Sequence, residues 1–205
     1  MNYFEAREKI LDIIGYLSNQ MVRGWSAFLV AKNIHLAYQE GRISSSVFFF
    51  TATYQASIEA AFLTLSRILL KNRDSISFEY LLDVVSDNKS TYPPGYKENV
   101  LKTITNHKQE LEQFASFRET LKTQRDKISA HLDREFVNNP GSISLIPPLD
   151  FNEGAKAFKF LLKVINAYKG YFDASVLLLS SLDSDIPEDI EYLLNLIKAD
   201  NERDE

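Results

Sequence analysis

The stretch "VFFFTATYQASIEAAFLTLSRILL", residues 47–70, decides the fold. It is apolar on more than one helical face, yet Gln55, Glu59 and Arg67 interrupt it. A membrane span needs about 20 consecutive apolar residues with few or no charges, so these interruptions argue for a buried core helix at the centre of a globular protein. Glu59 stands out there. It is expected to be buried and paired with a base such as Arg67, or else to serve as a carboxylate supporting a site.

The flanking sequence is helical in pattern too. Upstream, Phe4, Ile10, Leu11, Ile14, Leu17, Met21, Trp25, Phe28 and Leu29 recur at three- and four-residue steps. This predicts one or two amphipathic helices from Asn2 to about Gln39, with Gly24 as the candidate break. "EGRISSS" (40–46) offers a glycine to stop that helix and serines to cap the next. Downstream, "FEYLLDVVS" (78–86) fits a short helix with Phe78, Leu81, Leu82 and Val85 inward.

"KSTYPPGY" (89–96) is a loop by its prolines and glycine, and a long helix is expected from about Lys97 to Leu132. A second loop, "NNPGSISLIPPLD" (138–150), with a short extended piece at 143–146, precedes a helix from about Asn152 to Leu179. A final helix, capped near Asp185 with Pro187 in its first turn, ends the chain. Only 7 Gly and 6 Pro in 205 residues leave few turns for an all-β fold. The expected fold is all-α, an antiparallel bundle of five to six helices over 1–182, followed by an acidic C-terminal helix and tail over 183–205.

The net charge of −5 is uneven. From Asp183 onward there are nine acids against Lys198 and Arg203, so the body of the chain is slightly basic and the whole-chain charge does not speak against an anionic ligand. There is no cysteine, which excludes disulfides, thiolate chemistry and Cys-built metal sites. The N-terminus, with Glu5, Glu8 and Asp12, lacks the basic and apolar segments of a secretory signal. A cytoplasmic protein that does not enter a membrane is expected, needing neither metal nor other cofactor.

The chemistry-bearing segment is "QRDKISAHLD" (124–133), with Arg125, Asp126 and His131 at the end of the long helix. An Arg and a His at such a spacing is cheap: with 9 Arg and 3 His, about 0.4 pairs arise by chance. Its surroundings make it more specific. "RDKISAHLD" resembles the motif of the HEPN superfamily, helical domains marked by an Arg, a polar residue, a few more residues and a His. "SIEAAFLTLSRILLKNRDSISFEYLLDVV" (57–85) is similar to the central and following helices of the abortive-infection (AbiU-type) HEPN proteins, and the similarity spans about 1–180.

The resemblance implies a homodimeric, metal-independent ribonuclease of phage-defence or toxin-antitoxin type. Arg125, Asp126 and His131 stand at the catalytic positions, and Lys122 and Lys127 beside them are the expected RNA-binding cations. An antitoxin or other regulator is the further expected partner. Some HEPN toxins carry, two positions after the His, a Tyr modified by a nucleotidyltransferase antitoxin; here that position is Asp133.

Elementary chemistry asks for the same parts. Metal-free RNA cleavage needs a base for the 2′-OH proton, an acid for the leaving oxygen and fixed positive charge for the phosphorane. His131 supplies the first or second, Arg125 the third, and Asp126 orients one of them. One chain offers one suitable His, so the site calls for two chains about a twofold axis. On an ideal helix Arg125 and His131 stand about 120° apart, a further reason to look to a second protomer.

Other readings stay open. Lys122 and Asp126 form an i,i+4 pair, and His131 near a helix C-terminus can serve the dipole, which together describe a solvated helix face. A HEPN-like dimer that binds RNA or a partner protein without chemistry is the alternative function. His35 and His107 lack neighbours at metal-ligand spacing and are expected on the surface or in packing. Tyr92 and Tyr96 are candidate base-stacking residues, or ordinary loop tyrosines.

Overall fold

The computed structural model describes residues 2–43, 45–71, 75–130 and 150–201, of which 127–130 and 200–201 are described by their backbone alone. The described residues form an all-α protein. Seven helices follow in order: α1 (Tyr3–Gln39), α2 (Val47–Leu69), α3 (Phe78–Asp87), α4 (Pro94–Glu112), α5 (Ala115–Ala130), α6 (Phe151–Phe172) and α7 (Ser180–Asn201). A 3-10 turn at Lys89–Thr91 joins α3 to α4. The segment 131–149, with the expected extended piece at 143–146, lies outside the described residues.

Contacts divide the chain into two compact units, Met1–Met21 with Leu63–Leu177, and Val22–Phe62 with Leu178–Glu205. The first holds 18 basic and 17 acidic residues, the second 5 and 11. Any polyanion is therefore met far more favourably by the first unit.

The first unit is built on apolar stripes at helical spacing. Ile10, Ile14 and Leu17 of α1, Leu65 and Ile68 of α2, and Phe158, Leu161 and Ile165 of α6 are all buried. Burial of each such side chain stabilises by about 1.5–3 kcal/mol. Phe160 meets Phe78 edge-on (5.4 Å) and stacks with Phe114 (5.1 Å), tying α3, α6 and the α4–α5 junction together. Helix starts are capped as their sequences dictate. Ser77 Oγ accepts from Tyr80 N (3.3 Å) for α3, and Asp150 Oδ1 accepts from Asn152 N (2.7 Å) and Glu153 N (3.2 Å) for α6.

The second unit packs the latter part of α1, the first sixteen residues of α2, and α7. Its core is Ile34, Ala37, Phe50, Ile190 and Leu194, with Tyr38, Tyr54, Ile186 and Ile197 packed around it. Trp25 Nε1 donates to Asp183 Oδ1 (2.8 Å), and Arg42 pairs with both Glu191 and Glu40. Gly41, at φ +68°, ends α1 in a Schellman motif: Arg42 N donates to Ala37 O (2.9 Å) and Gly41 N to Tyr38 O (3.1 Å). An L side chain would be strained there.

Four expectations are corrected. Gly24 does not break α1; it is buried within one continuous helix, and an internal glycine costs only about 1 kcal/mol against Ala. The long helix from Lys97 to Leu132 is instead α4 and α5, parted at Gln113–Phe114, where Gln113 N and Phe114 N donate to Glu110 O (3.1 Å) and Leu111 O (3.0 Å). No Gly or Pro marks that turn; the stacking of Phe114 on Phe160 explains it. The final helix begins at Ser180, not near Asp185, and contains Pro187 in its interior. The proline withholds a hydrogen bond only from the Asp183 carbonyl, near the helix start, where the loss is small.

The fourth correction concerns α2. Only its later part is central: Ala61, Phe62, Leu65, Ile68 and Leu69 are buried, whereas Val47, Phe48 and Phe49 are exposed at 47%, 88% and 55%. Glu59 is exposed as well and needs no buried partner. Among the described residues no helix is long and apolar enough to cross a membrane.

Candidate functional site

Helix α5 carries the motif and is held in place by its own opposite requirements. Phe117, Leu121 and Gln124 are buried, which turns the intervening positions outward and seats the helix on the first unit. Arg118 is the anchor. Its Nε donates to the Leu69 carbonyl (3.0 Å) at the end of α2, and Nη2 pairs with Glu79 in the first turn of α3. Both side chains are largely buried, so the contact is far more than a surface ion pair. Sequence reasoning missed Arg118 and Glu79, although an Arg on the apolar side of an amphipathic helix was a signal for a buried partner.

Seven residues on, Arg125 lies on nearly the same helical face as Arg118, about 10.5 Å further along the axis. Its side chain is 32% exposed. Nε (3.0 Å) and Nη2 (2.8 Å) both donate to Oδ1 of the adjacent Asp126, whose side chain is exposed. The structure thus brings Arg125 and Asp126 together, and the carboxylate is taken by Arg125 rather than by an i,i+4 contact with Lys122. A pair this exposed is worth only about 0–1 kcal/mol, so it orients the guanidinium without committing it. A dianionic or diester phosphate can replace the carboxylate at little cost.

Lys122 is exposed one turn before Arg125, on the solvent side of α5. Lys127 lies on the last stretch of the helix, and its side chain is outside the described residues. His131 also lies outside the described residues, immediately after the last residue of α5.

The remaining candidates are packing groups. His107 is 4% exposed, edge-on to Tyr168 (5.6 Å) and Phe160 (6.4 Å), with Nδ1 at 3.4 Å from the Tyr168 hydroxyl. Burial lowers its pKa; Glu110 opposes that shift and Lys163 adds to it. His35 is half-buried and stacks on Tyr54 at 6.2 Å. Tyr92 is buried and its hydroxyl donates to Val85 O (2.8 Å), so it is no base platform. Tyr96 bonds the Tyr171 carbonyl, and burial with neighbouring tyrosines pushes its pKa up to about 12. Among the described residues no group of three or more His, Asp or Glu side chains is placed to hold a metal ion.

No curated protein and no solved structure matches the chain significantly. The family model for AbiU2, a HEPN family, matches residues 7–195, which takes in α2 to α6 whole, most of α1 and α7, and the motif segment between α5 and α6. A match over so much of an all-helical chain, with an Arg-Asp pair at the end of α5, settles its kinship: the chain belongs to the AbiU2 family of HEPN proteins.

Proposed function

We propose that this protein is a metal-independent endoribonuclease of phage-defence or toxin-antitoxin type, acting in the cytoplasm as a homodimer with Arg125, Asp126 and His131 in a cleft between protomers. The observation that carries the reading is the half-buried Arg125 guanidinium, oriented by Asp126 on α5 and six residues before His131, in an AbiU2-family chain.

The chemistry balances without a metal. One neutral His131 takes the proton of a ribose 2′-OH as that oxygen attacks the adjacent phosphorus. The P–O5′ bond breaks, and a protonated His131 from the other protomer gives its proton to the departing 5′ oxygen. Two Arg125 side chains hold the non-bridging oxygens while negative charge builds on them. Lys122 and Lys127 attract flanking phosphates, and binding weakens with salt accordingly. The products are a 2′,3′-cyclic phosphate and a 5′-hydroxyl.

The test is to incubate the purified protein with mixed cellular RNA in EDTA and to determine the ends of any fragments. Cyclic phosphate and 5′-hydroxyl ends support the reading, and 5′-phosphate ends would contradict it. Binding of RNA with every strand intact after long incubation would instead indicate a non-catalytic RNA-binding dimer. An antitoxin or other regulator that holds the enzyme silent is proposed with it.

A further inference from the structure

The most exposed large apolar side chain of the described residues is Phe48, at 88%, on the opening stretch of α2. From Val47 to Phe62 this helix carries a single charged residue, Glu59. Along one ridge of i, i+4 positions, Phe48, Ala52, Ala56 and Ala60 are all exposed, with Val47 and Phe49 exposed at its start. A contiguous apolar ridge of this kind on a soluble protein marks a contact surface.

We propose that this face of α2 is the site where a second copy of the chain docks, α2 against α2, antiparallel about a twofold axis passing between Ala52 and Ala56. The ridge is complementary to itself in that register and in no parallel one. Run antiparallel, Phe48 of each copy lies over Ala60 of the other, and Ala52 lies over Ala56, so the bulky end of each ridge meets the shallow end of its mate. A parallel pairing sets Phe48 against Phe48 and leaves the alanines facing a void. Ridges of i±4 positions interdigitate at a crossing angle of about −50°, and alanines let the backbones approach closely enough for it.

Charge favours a second copy over other occupants. A basic partner is better served by α7, where Asp185, Glu188, Asp189 and Glu191 are exposed in the same unit. An isologous contact puts every group opposite its own kind across the axis, which suits a face almost free of charge. The net charge of −5 makes two copies repel at long range, so screening by salt strengthens the pair. An oligomer bridged by bound RNA behaves oppositely and dissolves in salt.

This inference gives a surface to the pairing that the proposed ribonuclease requires, and only its consequence for cleavage rests on that reading. Its test therefore reads oligomeric state in nuclease-treated, RNA-free protein. Sedimentation of the wild type should show a dimer that tightens from low to moderate salt. Ala56→Glu, which buries two acids at the axis, should be a monomer with an unchanged helical circular dichroism spectrum.

The chain has no cysteine, so a second readout has no background. Ala52→Cys combined with Ala56→Cys should form an intermolecular disulfide under mild oxidation, whereas Tyr192→Cys, exposed on α7, should not. A wild type that stays monomeric, or an Ala56→Glu protein that remains dimeric, would overturn the proposal. A monomeric Ala56→Glu protein that still cleaves RNA would uphold this surface and sink the two-chain active site instead.

Discussion

Arg118 and Arg125 stand two turns apart on one face of α5, and the structure gives them opposite uses. Arg118 is bound to Glu79 and to the Leu69 carbonyl, inside the first unit. Arg125 meets only its sequence neighbour Asp126 across a contact that solvent weakens. One guanidinium holds the helix and the other is available for a phosphate.

Arg118→Ala should therefore destabilise the protein by about 2–3 kcal/mol, because Glu79 is left largely buried without its cation. Arg125→Ala should change stability by no more than about 0.5 kcal/mol while abolishing cleavage. Urea denaturation of both variants separates the two roles.

Asp126→Asn removes the carboxylate that competes with phosphate for Arg125. RNA should bind several-fold more tightly, and the maximal cleavage rate should fall because the guanidinium is no longer oriented. Fluorescence titration with a non-cleavable 2′-deoxy substrate, set beside kcat, reads the two effects apart. Equal loss of binding and rate would contradict the arrangement.

His107 makes stability depend on pH. Its folded pKa lies below the ordinary value because burial disfavours the charged form, so the unfolded chain takes up the proton first. The stability that neutral His107 contributes is complete above the unfolded value, near 6.5, and is lost as pH falls from there toward the folded value. Thermal melts between pH 7.5 and 5 should show a fall in Tm that is smaller in His107→Leu.

Phe48 and Phe50 are two residues apart and opposite in burial, at 88% and 2% exposed. Phe50→Ala should cost about 3–5 kcal/mol by opening a cavity among Ile34, Ile190 and Leu194. Phe48→Ala should leave the stability of the folded monomer within about 0.5 kcal/mol of wild type. Denaturant midpoints measured at low protein concentration check both.

Much of the helix order was legible because period-3.6 stripes and punctuation agree: Gly41 closes α1, and α3 buries Phe78, Leu81, Leu82 and Val85 as its spacing predicts. What escaped was set by tertiary contacts. The turn at Gln113–Phe114 has no breaker in its sequence and follows from where Phe114 stacks. The opening of α2 is as apolar as a core helix, and periodicity alone does not say whether such a face is buried within the chain or offered to another. At the site, the Arg-Asp pairing followed from adjacency, whereas the anchor Arg118 depends on Glu79, distant in sequence, and no spacing rule points to it.

The most direct measurement compares the wild type and His131→Ala on mixed RNA in EDTA, with fragment ends mapped. The account predicts fragments ending in 2′,3′-cyclic phosphate from the wild type and intact RNA from the variant. Equal cleavage by the two proteins would contradict it, since no other His of the chain stands beside Arg125 in sequence to take over the proton transfers.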